Sequence, residues 1–162
     1  MINENGIIVK KTHFQNINFV KIITTTGAKD AVIYGNKQIN LVYIFNFDFI
    51  ESNKKNIYIV RKFYLADKFE HLNTKDKLMA AFFIVDIASQ IDISYNFLVK
   101  TIKSLKNNNV NESVIDFLKT ILLQNGIYTK DSQTLNKLIL ELENYLGKRL
   151  RVKLDEMLNT AR

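Results

Sequence analysis

Lys10, Lys11, Lys21, Lys29, Lys37, Arg61 and Lys62 alternate along the first part of the chain with Phe14, Phe19, Tyr34, Tyr43, Tyr58 and Tyr64. Cations pair with phosphate, and exposed rings stack on bases. A groove that combines the two holds a single strand of any sequence, each stacked base contributing roughly 1–3 kcal/mol. The other use of an aromatic ring is to fill a core. Phe45, Phe47 and Phe49 read as core, whereas Tyr34, Tyr58 and Tyr64 suit either role. A second basic cluster, Lys148, Arg149, Arg151 and Lys153, lies near the end of the sequence. At helical spacing its charges spread around the axis, as a solvated surface does, or as a contact for phosphate or an acidic peptide.

Residues that could break bonds are sparse. The two histidines, His13 and His71, lie far apart with no metal-ligand spacing. Glu141 and Glu143 stand two apart on an expected helix and do not face each other. Asp86, Asp92, Asp155 and Glu156 are scattered. Gly27 and Gly35 are isolated and do not form a phosphate-cradling loop. Cysteine is absent, which removes disulfides, thiolate zinc sites and thiol nucleophiles. The residues therefore predict a binding protein rather than an enzyme, with no cofactor and no metal.

The elements that must position these residues change character near residue 70. The 162 residues carry a formal charge of +7, which attracts polyanions, although Lys, Asn and Ile are all abundant and coding bias alone can produce such a charge. No apolar run approaches the roughly 20 residues of a membrane span, and the first residues lack the pattern of a secretory signal. A cytoplasmic protein with no membrane contact is expected.

Before residue 70, β-branched and aromatic residues alternate in short runs. Strands are expected at 6–14, 19–26, 28–34, 39–51 and 57–65, with turns at Gln15-Asn16, Gly27, Gly35-Asn36 and 52–56. In the fourth, Leu41, Tyr43, Phe45, Phe47 and Phe49 share a face opposite Asn46 and Asp48. In the fifth, Ile57, Ile59, Arg61, Phe63 and Leu65 share one. Five short strands without a helix suggest a closed barrel, which leaves no edge open to aggregation.

After residue 70 the period is helical. Thr74 can cap a helix to about Gln90 with Leu78, Ala81, Phe82, Val85 and Ala88 or Ser89 inward. Ser94 can cap a second, burying Phe97, Leu98, Ile102 and Leu105. Asn111 or Ser113 starts a third, stopped at Gly126. Asp131 or Ser132 caps a fourth, interrupted at Gly147, and helical spacing resumes over 148–159.

Five stretches carry a resemblance to a family. Gly6-Ile7-Ile8-Val9-Lys10-Lys11-Thr12-His13-Phe14 is a glycine-led strand ending in basic residues. Val20-Lys21-Ile22-Ile23-Thr24-Thr25-Thr26-Gly27-Ala28-Lys29 and Ala31-Val32-Ile33-Tyr34-Gly35 follow it. Leu122-Leu123-Gln124-Asn125-Gly126-Ile127-Tyr128 and Leu142-Glu143-Asn144-Tyr145-Leu146-Gly147-Lys148-Arg149-Leu150-Arg151-Val152-Lys153 complete the pattern. In this order they resemble the RecO family of bacterial recombination mediators. The chain departs from the family in lacking its zinc cysteines, in being shorter, and in having Lys37 alone after Gly35 where a basic patch is usual.

The resemblance implies an α+β protein: a five-stranded OB-type β-barrel at 1–70, binding nucleic acid, followed by an all-α helical domain at 71–162, binding partners. It implies a non-enzymatic mediator that binds single- and double-stranded DNA, anneals strands and helps load recombinase. The implied partners are a RecR-type protein and the acidic tail of a single-stranded-DNA-binding protein, in a nucleoid-associated setting. The DNA contacts expected are Lys10, Lys11, Lys29, Lys37, Arg61 and Lys62, with Tyr34 stacking. Lys148, Arg149, Arg151 and Lys153 are the expected partner contacts. The competing expectation is an adaptor that keeps the barrel and has lost most DNA affinity.

Overall fold

The computed structural model describes residues 1–35, 37–107, 109–127, 129–130 and 134–150. They form two compact units. One holds Met1–Glu70 with Ala88–Lys100, the other His71–Ile87 with the chain from Thr101 onward. Residues 88–100 thus group with the strands, although they follow the first helix.

The strands are β1 (Ile2–Phe14), β2 (Ile17–Thr24), β3 (Gly27–Tyr34), β4 (Ile44–Glu51) and β5 (Ile57–Asp67). They close into a barrel in the order β1-β2-β3-β5-β4. All neighbours are antiparallel except β3 and β5, which run parallel over Asp30–Val32 and Ile57–Ile59. A closed five-stranded barrel of this order is an OB-type barrel.

β1 is long because it serves two partners. Ile2–Ile7 pair with β4, and Gly6–Phe14 pair with β2. Gly6 lies where the two pairings overlap, and a Cβ there would sit 2.7 Å from Ile22 Cγ2 and 3.1 Å from the Ile23 carbonyl oxygen. Only glycine lets the neighbouring strand approach so closely. Just beyond, the register passes from Ile8↔Ile22 to Lys10↔Lys21, so Val9 is an extra, bulged residue. A bulge re-aims the side chains that follow it. Here Ile8 enters the core and Lys10 turns outward.

The barrel core contains Ile8, Val20, Ile22, Ile33, Phe45, Phe47, Phe49 and Val60. Phe47 stacks on Phe49 at 5.4 Å between centroids, and Phe63 meets Phe45 edge-on at 5.5 Å. Offset and edge-on rings are the favoured aromatic geometries. The expected filling of the barrel by Phe45, Phe47 and Phe49 is therefore observed.

Two expectations for the strands are corrected. β4 starts at Ile44, not Ile39, and the preceding stretch is irregular: Val42 has φ 80° and is buried, donating its N–H to the Ile8 carbonyl at 3.4 Å. Leu41 and Tyr43 still pack partly buried against the core, which is why their alternation looked like strand. In β5 the single face is broken by a bulge. Val60 pairs with Phe49 and Lys62 with Asp48, leaving Arg61 without a register partner. Val60 consequently faces the core, and Leu65 is 48% exposed.

The helices are α1 (Lys75–Ala88), α2 (Tyr95–Ser104), α3 (Val110–Gln124) and α4 (Leu135–Leu146). The hydroxyls of Thr74 and Ser94 accept from the N–H groups of Lys77 and Phe97, as N-caps do. α3 starts earlier than expected: Asn109, rather than Asn111 or Ser113, accepts from the Glu112 N–H at 3.1 Å. It ends in a Schellman turn at Gly126 (φ 82°), where the Ile127 N–H reaches back to the Leu122 carbonyl. α4 is capped by Thr134. The expected caps Asp131 and Ser132, and the expected helix beyond Leu150, lie outside the described residues.

α1 also departs from its expected single stripe. Phe83, Ile84 and Ile87 are fully buried along with Ala81 and Val85, so the helix is apolar on more than one side, as buried helices are. α3 and α4 pack together, burying Val114, Leu118, Ile121, Leu138 and Leu142.

The glycine constraint predicts a measurable defect. Gly6→Ala should lower unfolding stability by about 1–3 kcal/mol, the usual cost of overpacking a filled core. Urea denaturation followed by circular dichroism would measure it, and an unchanged midpoint would refute the close approach of β1 to Ile22.

Candidate nucleic-acid interface

The Val9 bulge and the β1–β2–β3 register together arrange three outward rows. Phe14, Ile17 and Tyr34 are direct neighbours, as are Thr12, Phe19 and Val32, and then Lys10, Lys21 and Asp30. Three aromatic side chains here face solvent: Phe14 is 64% exposed, Phe19 49% and Tyr34 56%. Exposed rings on a barrel whose interior is already filled with rings are not core material.

A groove of about 280 Å³ runs past Phe19 and Tyr34, floored by Ile17 and Val32 and rimmed by Ser52, Asn53 and Lys54 of the β4–β5 turn. That turn is held in shape by its own hydrogen bonds. Ser52 N–H donates to the Ile57 carbonyl, Ser52 Oγ donates to the Lys54 carbonyl at 2.9 Å, and the Lys54 N–H donates back to Ser52 Oγ. Asn56 closes the turn with φ 66°, which asparagine tolerates. In OB-type barrels generally, the face of the second and third strands and the β4–β5 loop form the surface that takes oligonucleotides and oligosaccharides.

The expected contact residues fall in several places. Tyr34 lines the groove, and Lys10 lies on the same outer face beside Lys21. Lys11 shares the face of Val20 instead, and its Nζ donates to the Ile39 carbonyl at 2.7 Å. Lys37 is exposed with its ammonium 5.6 Å from the centre of the Phe63 ring, a cation–π contact. Lys62 lies beside Asp48, Nζ to oxygen 3.6 Å, among the polar side chains Asn3 and Asn46 that face out from β1 and β4. Arg61 is exposed at the β5 bulge. Tyr58 packs edge-on against Phe49 and belongs to the core margin, whereas Tyr64 is exposed opposite Asn46. Lys148 and Arg149 are exposed after α4, and Arg151 and Lys153 lie outside the described residues.

Lys29 is a correction. It shares the inward face of Ala31 and Ile33, and its side chain is only 9% exposed. The ammonium pairs with Glu4 at 3.2 Å, donates to Thr24 and Thr26, and lies over the Phe49 and Tyr58 rings. It stabilises the barrel and does not reach phosphate. Burial pushes the Glu4 carboxyl up, but the Thr24 and Thr26 hydroxyls and the Lys29 ammonium outweigh it and hold the pKa below the ordinary glutamate value.

Phe14, Phe19 and Lys21 stand in the interleaved basic and aromatic set but not among the expected contacts, and Lys54 in neither. The signal was present in the alternation Ile17, Phe19, Lys21 against Asn18, Val20, Ile22, but both sets carry apolar residues and neither declares itself the outer face. Lys21 also donates to the Ser89 carbonyl at 3.1 Å. Among the described residues no group of three or more His, Asp or Glu side chains could hold a metal ion, and no helix is long and apolar enough to cross a membrane. No protein-family model matches the chain, and no curated protein is significantly similar to it.

The internal ion pair has two consequences for stability. Lys29→Ala leaves Glu4 buried without its partner and should cost about 3 kcal/mol, the scale of a broken buried pair. Because the folded Glu4 pKa is depressed, its contribution is present above roughly pH 4.3, the unfolded value, and is lost as pH falls through the folded value. Thermal unfolding from pH 7 to pH 3 should therefore show a steeper acid limb for the wild type than for Glu4→Gln. Parallel limbs would remove the assigned role of the pair.

Proposed function

We propose that this protein is a non-enzymatic, RecO-type recombination mediator in DNA repair. It binds single- and double-stranded DNA through the barrel, anneals complementary strands and helps load recombinase. It works with a RecR-type partner and the acidic tail of a single-stranded-DNA-binding protein, for which Lys148 and Arg149 are candidate contacts. It acts at the nucleoid.

The observation that carries the reading is the outer face of an OB-type barrel bearing exposed Phe14, Phe19 and Tyr34 beside Lys10, Lys21 and Lys54. Rings of this exposure stack on unpaired bases, and the lysines follow the backbone. Ten basic against six acidic residues in 1–70 add a favourable field. The order of motifs that resembles the RecO family supplies the pathway.

The second reading is a protein-binding adaptor. Its support is that Lys11, Lys29, Lys37 and Lys62 all have partners within the protein, which leaves fewer cations for phosphate than the sequence suggests. An apolar peptide could then occupy the same groove.

Fluorescence anisotropy of a labelled single-stranded oligonucleotide across a salt series separates the two. A mediator binds with an affinity that falls steeply with salt. Phe19→Ala and Tyr34→Ala should each weaken binding by about 1–3 kcal/mol, the value of one stacked base. No binding at low salt would overturn the DNA reading in favour of the adaptor.

A further inference from the structure

Lys10 and Lys21 stand directly opposite each other on β1 and β2, both outward. Like charges placed across adjacent strands repel and destabilise the sheet. The Lys21 ammonium donates to the Ser89 carbonyl, but among the described residues the Lys10 side chain makes no hydrogen bond or ion pair. Both line a cavity of about 420 Å³, together with Thr12, Asp30 and Ser89. The polar residues lining the cavity are therefore two lysines, Thr12, Ser89 and one carboxylate. Asp30, opposite Lys21 in register, makes no ion pair with either lysine.

This cavity adjoins the aromatic groove. The two share Phe19, Val32 and Ile57, which form the waist between a basic end and an aromatic end. The distribution of chemistry is unequal. The aromatic end offers rings, apolar floor and one lysine, whereas the basic end offers charge and Thr12. Two cations that repel each other when empty gain most from an anion placed between them.

We infer that the Lys10–Lys21 cavity is a phosphodiester subsite, seating one backbone phosphate of a strand whose neighbouring base lies on Phe19. This deepens the proposed function and rests on it. The ligand is a single strand in this groove, because a paired base cannot turn its face to Phe19 while its phosphate enters the cavity. Asp30 on the cavity wall weakens the site and tunes it, so that its removal and removal of a lysine have opposite signs.

The test uses the full-length protein and a fluorescein-labelled oligothymidylate, with anisotropy read across a salt series. Lys10→Gln should weaken binding about tenfold and lower the salt slope by about 0.7, the share of one phosphate on a single strand. Asp30→Asn should tighten binding about twofold to threefold, the size of one repulsive charge roughly 7 Å away in a water-like dielectric. Lys68→Gln, an exposed charge removed elsewhere on the barrel unit, serves as the control for net charge. An oligothymidylate with neutral methylphosphonate linkages should bind wild type and Lys10→Gln alike, since the missing partner is the same interaction. Equal effects of Lys10→Gln and Lys68→Gln, or no tightening by Asp30→Asn, would overturn the subsite while leaving DNA binding intact. Absence of oligonucleotide binding by the wild type would overturn the proposed function and the subsite together.

Discussion

The double pairing of β1 is the constraint on which the barrel depends. One strand must lie against β4 with its first half and against β2 with its second, and it changes partner across Gly6 and Ile7. A residue with a side chain at position 6 would collide with Ile22, which is fully buried. Closure of the sheet gives it a distinct inside and outside. The Val9 bulge then sets which residues of the second half face outward. Without it, Lys10, Thr12 and Phe14 would exchange faces with Lys11 and His13, because a one-residue slip inverts a strand.

The inside and outside use aromatic residues for different purposes. Phe45, Phe47, Phe49 and Phe63 stack and meet edge-on within the barrel. Phe14, Phe19 and Tyr34 remain on the outer face of a sheet whose other side is already packed. A hydrophobic side chain of this size exposed alone has no special meaning, but three on adjacent strands beside a hydrogen-bonded turn form a platform. The turn at Ser52–Asn56 contributes because its hydrogen bonds are already made before a ligand arrives, so little ordering remains to oppose binding.

Much of this was legible in the sequence, and the failures share a cause. Alternation of β-branched and aromatic residues located five strands, and polar clusters located the turns at Gln15-Asn16 and 52–56, whereas the turn expected at Gly27 lies at Thr25-Thr26 and Gly27 opens β3. Thr74, Ser94 and Gly126 marked helix ends because their local chemistry decides them. Bulges were not legible. Those at Val9 and Arg61 insert one residue into the period, and nothing in residue type distinguishes an inserted valine or arginine from a paired one. Leu41 and Tyr43 show the opposite limit: they keep core contacts and period two without being strand. The candidate face lay on the wrong side of the same uncertainty, since choosing Phe19 and Lys21 over Val20 and Ile22 needs the register that closure supplies.

Charge was the most misleading signal at the level of single residues. Lysines at 11, 29, 37 and 62 look alike in a sequence, yet they meet different partners: a carbonyl, the buried Glu4 carboxylate, a ring and the largely buried Asp48 carboxylate. A cation held by a carboxylate inside the barrel has exchanged its water for a fixed partner and cannot also release a counterion from a phosphate. The pair at Lys62 is different on one side only: its side chain is 73% exposed and can swing away, while the Asp48 carboxylate is largely buried. Formal charge therefore overstates the capacity of a small basic barrel for DNA. What distinguishes Lys10 is that, among the described residues, its side chain has no such partner, on a face where its neighbour across the sheet is another lysine. On the proposed reading, the position of unpartnered charge beside exposed rings determines where a strand would lie.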